Sequence, residues 1–204
     1  MSLSLQAQGT NPPASAYAAL TASSKLQHLN ISECRLPADV WQHLFPSSRL
    51  LPNLQAVDIT MTQCVWQQPD RFPPFTECSR LVSCCPGLQS LKTGPLASSA
   101  ALLAPLRRLS ELRVLHCGWD DGATEVVQAV CQLTALRELG VRGKLSMEEE
   151  GWLLQLTQLR QLTKLCCWVT GGPAHEINLA GEVHALTCLG VVSLLVGHKL
   201  GPVC

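Results

Sequence analysis

Aromatic residues are scarce. Phe, Trp and Tyr together make up 4% of the 204 residues, so this chain does not build a core around large rings. Its apolar mass is Leu, Val, Ala and Cys. Net charge is also lacking. Fifteen basic and fifteen acidic residues cancel, leaving no overall excess to attract a phosphate backbone or an anionic lipid surface. We therefore expect no nucleic-acid and no membrane partner. No apolar run reaches the roughly 18 residues that a spanning helix needs. The stretch Met1–Gln8 has no basic region and no long apolar segment, so it does not read as a secretory signal. An intracellular and mainly cytoplasmic protein is expected, with cytoskeletal, ciliary or nuclear association left open.

The motifs of catalysis and cofactor binding are missing as well. Gly171-Gly172-Pro173 has no following Lys-Ser/Thr to make a phosphate cradle. There is no Gly-x-Ser-x-Gly elbow and no Cys-x-x-Cys pair. Cys78, Cys84 and Cys85 have no His at a zinc-site spacing. The histidines, His28, His43, His116, His175, His184 and His198, are scattered. Asn30-Ile31-Ser32 has the pattern of a glycosylation triplet but sits inside a strand of a chain with no export signal. The expectation is a non-enzyme with no metal and no cofactor.

Eleven cysteines are present, an odd number, with Cys84-Cys85 and Cys166-Cys167 adjacent. Neighbours in a strand point to opposite faces and cannot share one disulfide partner. Most are expected to be buried thiols acting as small hydrophobes in a reducing compartment.

What the chain has in abundance is leucine, 36 residues, and their spacing is regular. A phrase of Leu, two residues, Leu, one residue and a further residue that is usually apolar begins at Leu26, Leu54, Leu88, Leu112, Leu136, Leu162 and Leu186. Successive starts lie 28, 34, 24, 24, 26 and 24 residues apart. A period in this range marks stacked units, each too small to hide its apolar side alone. Within a phrase, the first, fourth and sixth residues form the inward set around a short strand. The third, fifth and seventh point the opposite way.

Between phrases the period changes to three and four. Ala97–Leu109, Ala123–Leu133 and Met147–Leu159 each line up apolar residues on one helix face. Ser146 and Glu149 form a capping box for the third. The longest step contains Pro69, Pro73 and Pro74, read as an inserted loop near residues 66–75, with a helix near Thr76–Cys85 after it. The whole of residues 1–204 is one domain of about seven units. Both ends are expected to be partial: Leu3 and Leu5 match the fourth and sixth places of an earlier unit, and no closing cap follows the last. Such open ends would favour end-to-end self-association.

Strand and helix alternating at this short period give an α/β solenoid, a horseshoe with parallel strands on the concave face and helices on the convex face. These phrases resemble the leucine-rich repeat family in its intracellular, helix-containing form, over residues 20–200. The chain departs from that family at the ninth place, usually Asn or Cys. Here it holds Cys34, Thr62, Leu96, Asp120, Lys144, Thr170 and Leu194, of which only Cys34 matches. The resemblance implies a scaffold that binds a protein on its concave face. It also admits the substrate-recognition repeats of an F-box-type ubiquitin ligase, a cytoskeletal or ciliary component, or a small-GTPase regulator.

Reading the concave face place by place brings Arg142 and Trp168 side by side, with Trp119 close behind and His116, Glu138 and Lys164 alongside. Trp and Arg dominate interface energies, and Gly118, Gly140 and Gly143 leave room around them. His116, Trp119, Glu138, Arg142, Lys164 and Trp168 are the expected protein-binding residues.

Overall fold

The computed structural model describes residues 1–4, 13–37, 39–60, 63–64, 78–95, 103–119, 123–143, 155–169 and 193–198. Its main element is one open sheet of eight strands, all paired in parallel. In sheet order these are β1 (Ser2–Ser4), β2 (His28–Asn30), β4 (Ala56–Asp58), β6 (Ser90–Pro95), β7 (Val114–Trp119), β8 (Glu138–Gly143), β9 (Lys164–Val169) and β10 (Ser193–His198). A second, two-stranded parallel sheet pairs β3 (Arg35–Leu36) with β5 (Gln63–Cys64). Each strand of the main sheet neighbours the one before it in the repeat. The fold is thus α/β, with the period of the sequence turned into lateral stacking.

The register follows the phrases. Leu3, Leu29, Val57, Leu91, Leu115, Leu139, Leu165 and Leu194 form one continuous row across the sheet. From Leu29 to Leu165 every member of that row is buried, as are Leu26, Leu54, Leu88, Leu112, Leu136 and Leu162 at the first place. Ile31, Ile59, Cys117 and Val141 fill the sixth place. Burying one such side chain is worth about 2 kcal/mol, and the units share a single connected core. Thr93 is the polar exception in that row. It is buried, and its hydroxyl donates to the Gly94 carbonyl at 2.9 Å.

The seventh unit is a correction. The strand beside β9 is β10, and Leu194 rather than Leu189 lies opposite Leu165. Val191, Leu194 and Val196 repeat the same spacing five residues after Leu186, Leu189 and Val191, so the leucine pattern fits both frames. The Val-rich frame suits an extended backbone better, and Gly190 interrupts the earlier one. Leu186 and Leu189 lie outside the described residues. A smaller shift occurs in β6, where a bulge between Lys92 and Pro95 sets Pro95, not Gly94, opposite Gly118.

A second repeated device precedes β4 and β6 to β9. The amide of the first-place leucine donates to the carbonyl three residues back: Leu54 to Leu51, Leu88 to Cys85, Leu112 to Leu109, Leu136 to Leu133 and Leu162 to Leu159, all at 2.9–3.2 Å. The next two amides then share one carbonyl of the preceding unit. Arg113 and Val114 both donate to Gln89, Arg137 and Glu138 to Arg113, and Thr163 and Lys164 to Arg137. The turns pack closely between units. A Cβ added at Gly87 would lie 2.9 Å from the Pro52 carbonyl oxygen.

Helices Ala123–Cys131 and Cys78–Cys84 appear within the expected spans. The described parts of the other two expected helices end in short 3-10 turns, Ala104–Arg108 and Leu156–Gln158. Pro105 explains the first: it lacks the N–H that a continuing α-helix needs. The Ser146–Glu149 box and the Pro-rich segment at 66–75 lie outside the described residues. An unforeseen short helix, Val40–Leu44, packs against the 3-10 segment Ala14–Ala19. There the buried Thr21 hydroxyl donates to the Leu44 carbonyl at 2.9 Å and accepts from Arg49 Nη2 at 2.7 Å. No helix among the described residues is long and apolar enough to cross a membrane.

Candidate functional site

Residues at the third and fifth places lie on the sheet face opposite the core, because side chains alternate along a strand. The fifth places form the row Asn30, Asp58, Lys92, His116, Gly140, Cys166. The third places form a parallel row: His28, Ala56, Ser90, Val114, Glu138, Lys164.

Three of the expected residues meet here. Glu138 on β8 is the hub. Its Oε1 accepts from His116 Nε2 on β7 at 2.7 Å and from Lys164 Nζ on β9 at 3.0 Å. The His116 and Glu138 side chains are 20% and 23% exposed, shielded enough for the charges to be felt. Gly140, next along β8 on this face, makes the contact feasible. The imidazole lies directly over it, where any side chain would collide.

The electrostatics follow from this packing. Burial pushes the His116 imidazole below its ordinary value, against the opposing pull of Glu138, and Lys92 and Lys164 add repulsion. At neutral pH His116 is therefore a neutral ring donating Nε2–H to the carboxylate. Burial alone would raise the Glu138 carboxyl, but hydrogen bonds from Lys164 and His116 outweigh it and hold it below the usual carboxylate range. Glu138 in turn raises the Lys164 ammonium. Cys166 sits beside the group, and burial pushes its thiol up. The arrangement fixes three polar groups in place on a sheet face. Among the described residues, no cluster of three or more His, Cys, Asp or Glu is set to hold a metal.

Trp119, Arg142 and Trp168 occupy neighbouring strands. Arg142 is in register with Trp168, and Trp119 with Gly143. Their side chains lie outside the described part of the structure. Two fifth-place residues outside the six candidates also act on this face. Lys92 lies in the same row as His116 and acts on it electrostatically. Asn30, at the fifth place by sequence and within a glycosylation pattern, closes its strand: its Oδ1 accepts from the Ser32 amide at 2.9 Å and the Ser32 hydroxyl at 2.7 Å. Asp58 repeats the device one strand on, accepting from the Thr60 amide at 3.0 Å. The recurrence of Asn or Asp two residues before Ser or Thr was the available signal.

Compared with known proteins, the chain matches no family model and no curated protein.

Proposed function

We propose that this chain is a leucine-rich repeat scaffold of the intracellular type, without enzymatic activity, that binds a protein partner on the face formed by the third and fifth places. The horseshoe, with this face concave and the helices convex, belongs to the same proposal. The observation that carries it is the convergence of His116, Glu138 and Lys164 from three successive strands onto one face. A preformed polar group on a stacked sheet offers a partner a surface with little left to order on binding. Arg142 and Trp168, paired at the seventh place, are assigned to the same surface from their register, and Trp119, at the eighth place of the adjoining strand, to its border, as the residue types that anchor interfaces.

Site-directed photocrosslinking tests the reading. A benzophenone amino acid at Ser90, on the strand face, should capture a discrete partner, whereas one at Gln128, exposed on helix Ala123–Cys131, should not. Trp168→Ala should abolish capture while the melting transition stays unchanged. Capture from the helix side alone, or full capture by Trp168→Ala, would overturn the assignment.

A further inference from the structure

Charge on this neutral chain is unevenly placed. Arg107, Arg108, Arg113, Arg137 and Arg160 all stand just before strands of three adjacent units. Arg107 and Arg108 end the 3-10 turn that leads into β7. Arg113 and Arg137 hold equivalent places before β7 and β8, and the Arg137 amide donates to the Arg113 carbonyl at 2.8 Å. Arg160 lies in the matching turn before β9, between Leu159 and Leu162. Neighbouring strands are about 4.8 Å apart, so three units span only about 10 Å across the strands. The five arginines therefore crowd the edge at which the strands begin.

Among the described residues one carboxylate answers them: Glu111, whose Oε2 lies 3.4 Å from Arg113 Nη2. Arg113 also donates to the Ser110 and Ala135 carbonyls, both at 3.4 Å, which holds its guanidinium in place. Arg107, Arg108, Arg137 and Arg160 are exposed. Among the described residues, none of the four side chains has a hydrogen-bond partner or a paired acid. Apart from Glu111 and from Glu138, which opens β8 and is held by His116 and Lys164, the acids of this stretch, Asp120, Asp121, Glu125 and Glu148–Glu150, follow the strands in sequence instead of preceding them. Clustered like charge raises the potential of that edge and is relieved by a ligand of opposite sign.

We propose that this arginine edge is a docking site for an acidic, extended segment of a partner protein. A guanidinium offers a planar fork that matches a carboxylate two bonds at a time. Alternate side chains of an extended peptide recur every 6.8 Å or so, a spacing that long arginines on adjacent units can meet. The chemistry favours carboxylates over single-stranded RNA. Residues 103–113, 132–137 and 155–163 contain no aromatic ring on which bases could stack. The edge is separate from the strand-face group, and neither assignment depends on the other.

Fluorescence anisotropy of a labelled oligoglutamate against the full chain tests this. Saturable binding is expected at low salt. It should weaken about tenfold or more in the combined variant Arg107→Gln, Arg108→Gln, Arg137→Gln, Arg160→Gln, and likewise at high salt. Lysine at the same four positions should restore part of the loss, and Lys25→Gln, exposed before β2 and three strands away from β7, should change nothing. Arg137→Glu alone, altering one exposed side chain, gives the same reading if the fourfold variant melts early. Three results would each overturn the proposal: no saturable binding to the native chain, undiminished binding by the folded variants, or tighter binding of an oligouridylate of equal charge.

Discussion

The His116 ring rests on the backbone of Gly140. A Cβ at that position would come within 2.7 Å of both Cγ and Cδ2 of the imidazole. Such a distance is closer than real side chains approach, so the glycine is a condition of the His116–Glu138 hydrogen bond and not merely a neighbour of it.

Gly140→Ala should therefore push the ring off Glu138 and cost about 1–2 kcal/mol, the usual penalty for a methyl forced into filled space. Denaturant unfolding measures the loss. The double variant Gly140→Ala, His116→Ala should recover most of it, because the colliding ring is gone. A double variant no more stable than Gly140→Ala would show that the methyl strains something other than His116.

Stability should also depend on pH through this group. The folded-state value of His116 lies below its unfolded value of about 6.5. Between those two values the unfolded chain binds more protons, so stability is full above about pH 6.5 and is lost as pH falls through the folded value. Glu138 acts in the same direction at lower pH. Its carboxyl is held below the ordinary range, so its contribution is present above the unfolded value and fades as pH falls through the folded one. Melting temperature should fall as pH drops below about 6.5 and again as it drops below about 4.5, and His116→Gln should flatten the first of these falls. An NMR titration of the His116 ring with a midpoint at or above the ordinary value would contradict the assignment.

The cysteines offer an independent check on packing. Cys34, Cys78, Cys84, Cys85, Cys117, Cys131 and Cys166 are all buried thiols. Burial, with Cys78 nearby, pushes Cys117 up to about 12, and burial beside Cys84 raises Cys85. Thiolate is the reactive form. Neither Cys117 nor Cys85 should take up iodoacetamide in the native protein near neutral pH, and both should react once the chain is denatured. Mass spectrometry reads the labelled positions. Rapid native labelling of Cys117 would mean that the sixth-place row between β6 and β8 is open to water.

The sheet was legible in the sequence because its rows are built from buried apolar residues at fixed spacing. Leu29 to Leu165 could be aligned without coordinates, and parity then assigned Glu138, His116 and Lys164 to the opposite face. The last strand differs in frame because Leu189 and Leu194 satisfy the same spacing, and a leucine count ignores the Val-rich run and Gly190 that separate them. The 3-10 turn at Ala104–Arg108 was hidden by good helical periodicity, which records the buried face but not the effect of Pro105 on the backbone. Gly140 was legible as open space on this face, but not as the seat of His116, since a ring's resting place across a strand leaves no mark on a hydrophobic pattern. The arginine edge was concealed by arithmetic: a net charge of zero averages over both ends of every strand.

The paired amides entering each strand have a bearing on where this chain can change in length. Each unit is locked from the turn residue three before the first leucine through to the fourth place, because those backbone groups are committed to the neighbouring unit. The unequal steps between units are absorbed outside that stretch. A segment grafted into the 34-residue step between Leu54 and Leu88 would leave the strand alignment on either side untouched. The margin at which the strands begin is thus a fixed ruler, which length added elsewhere does not re-index.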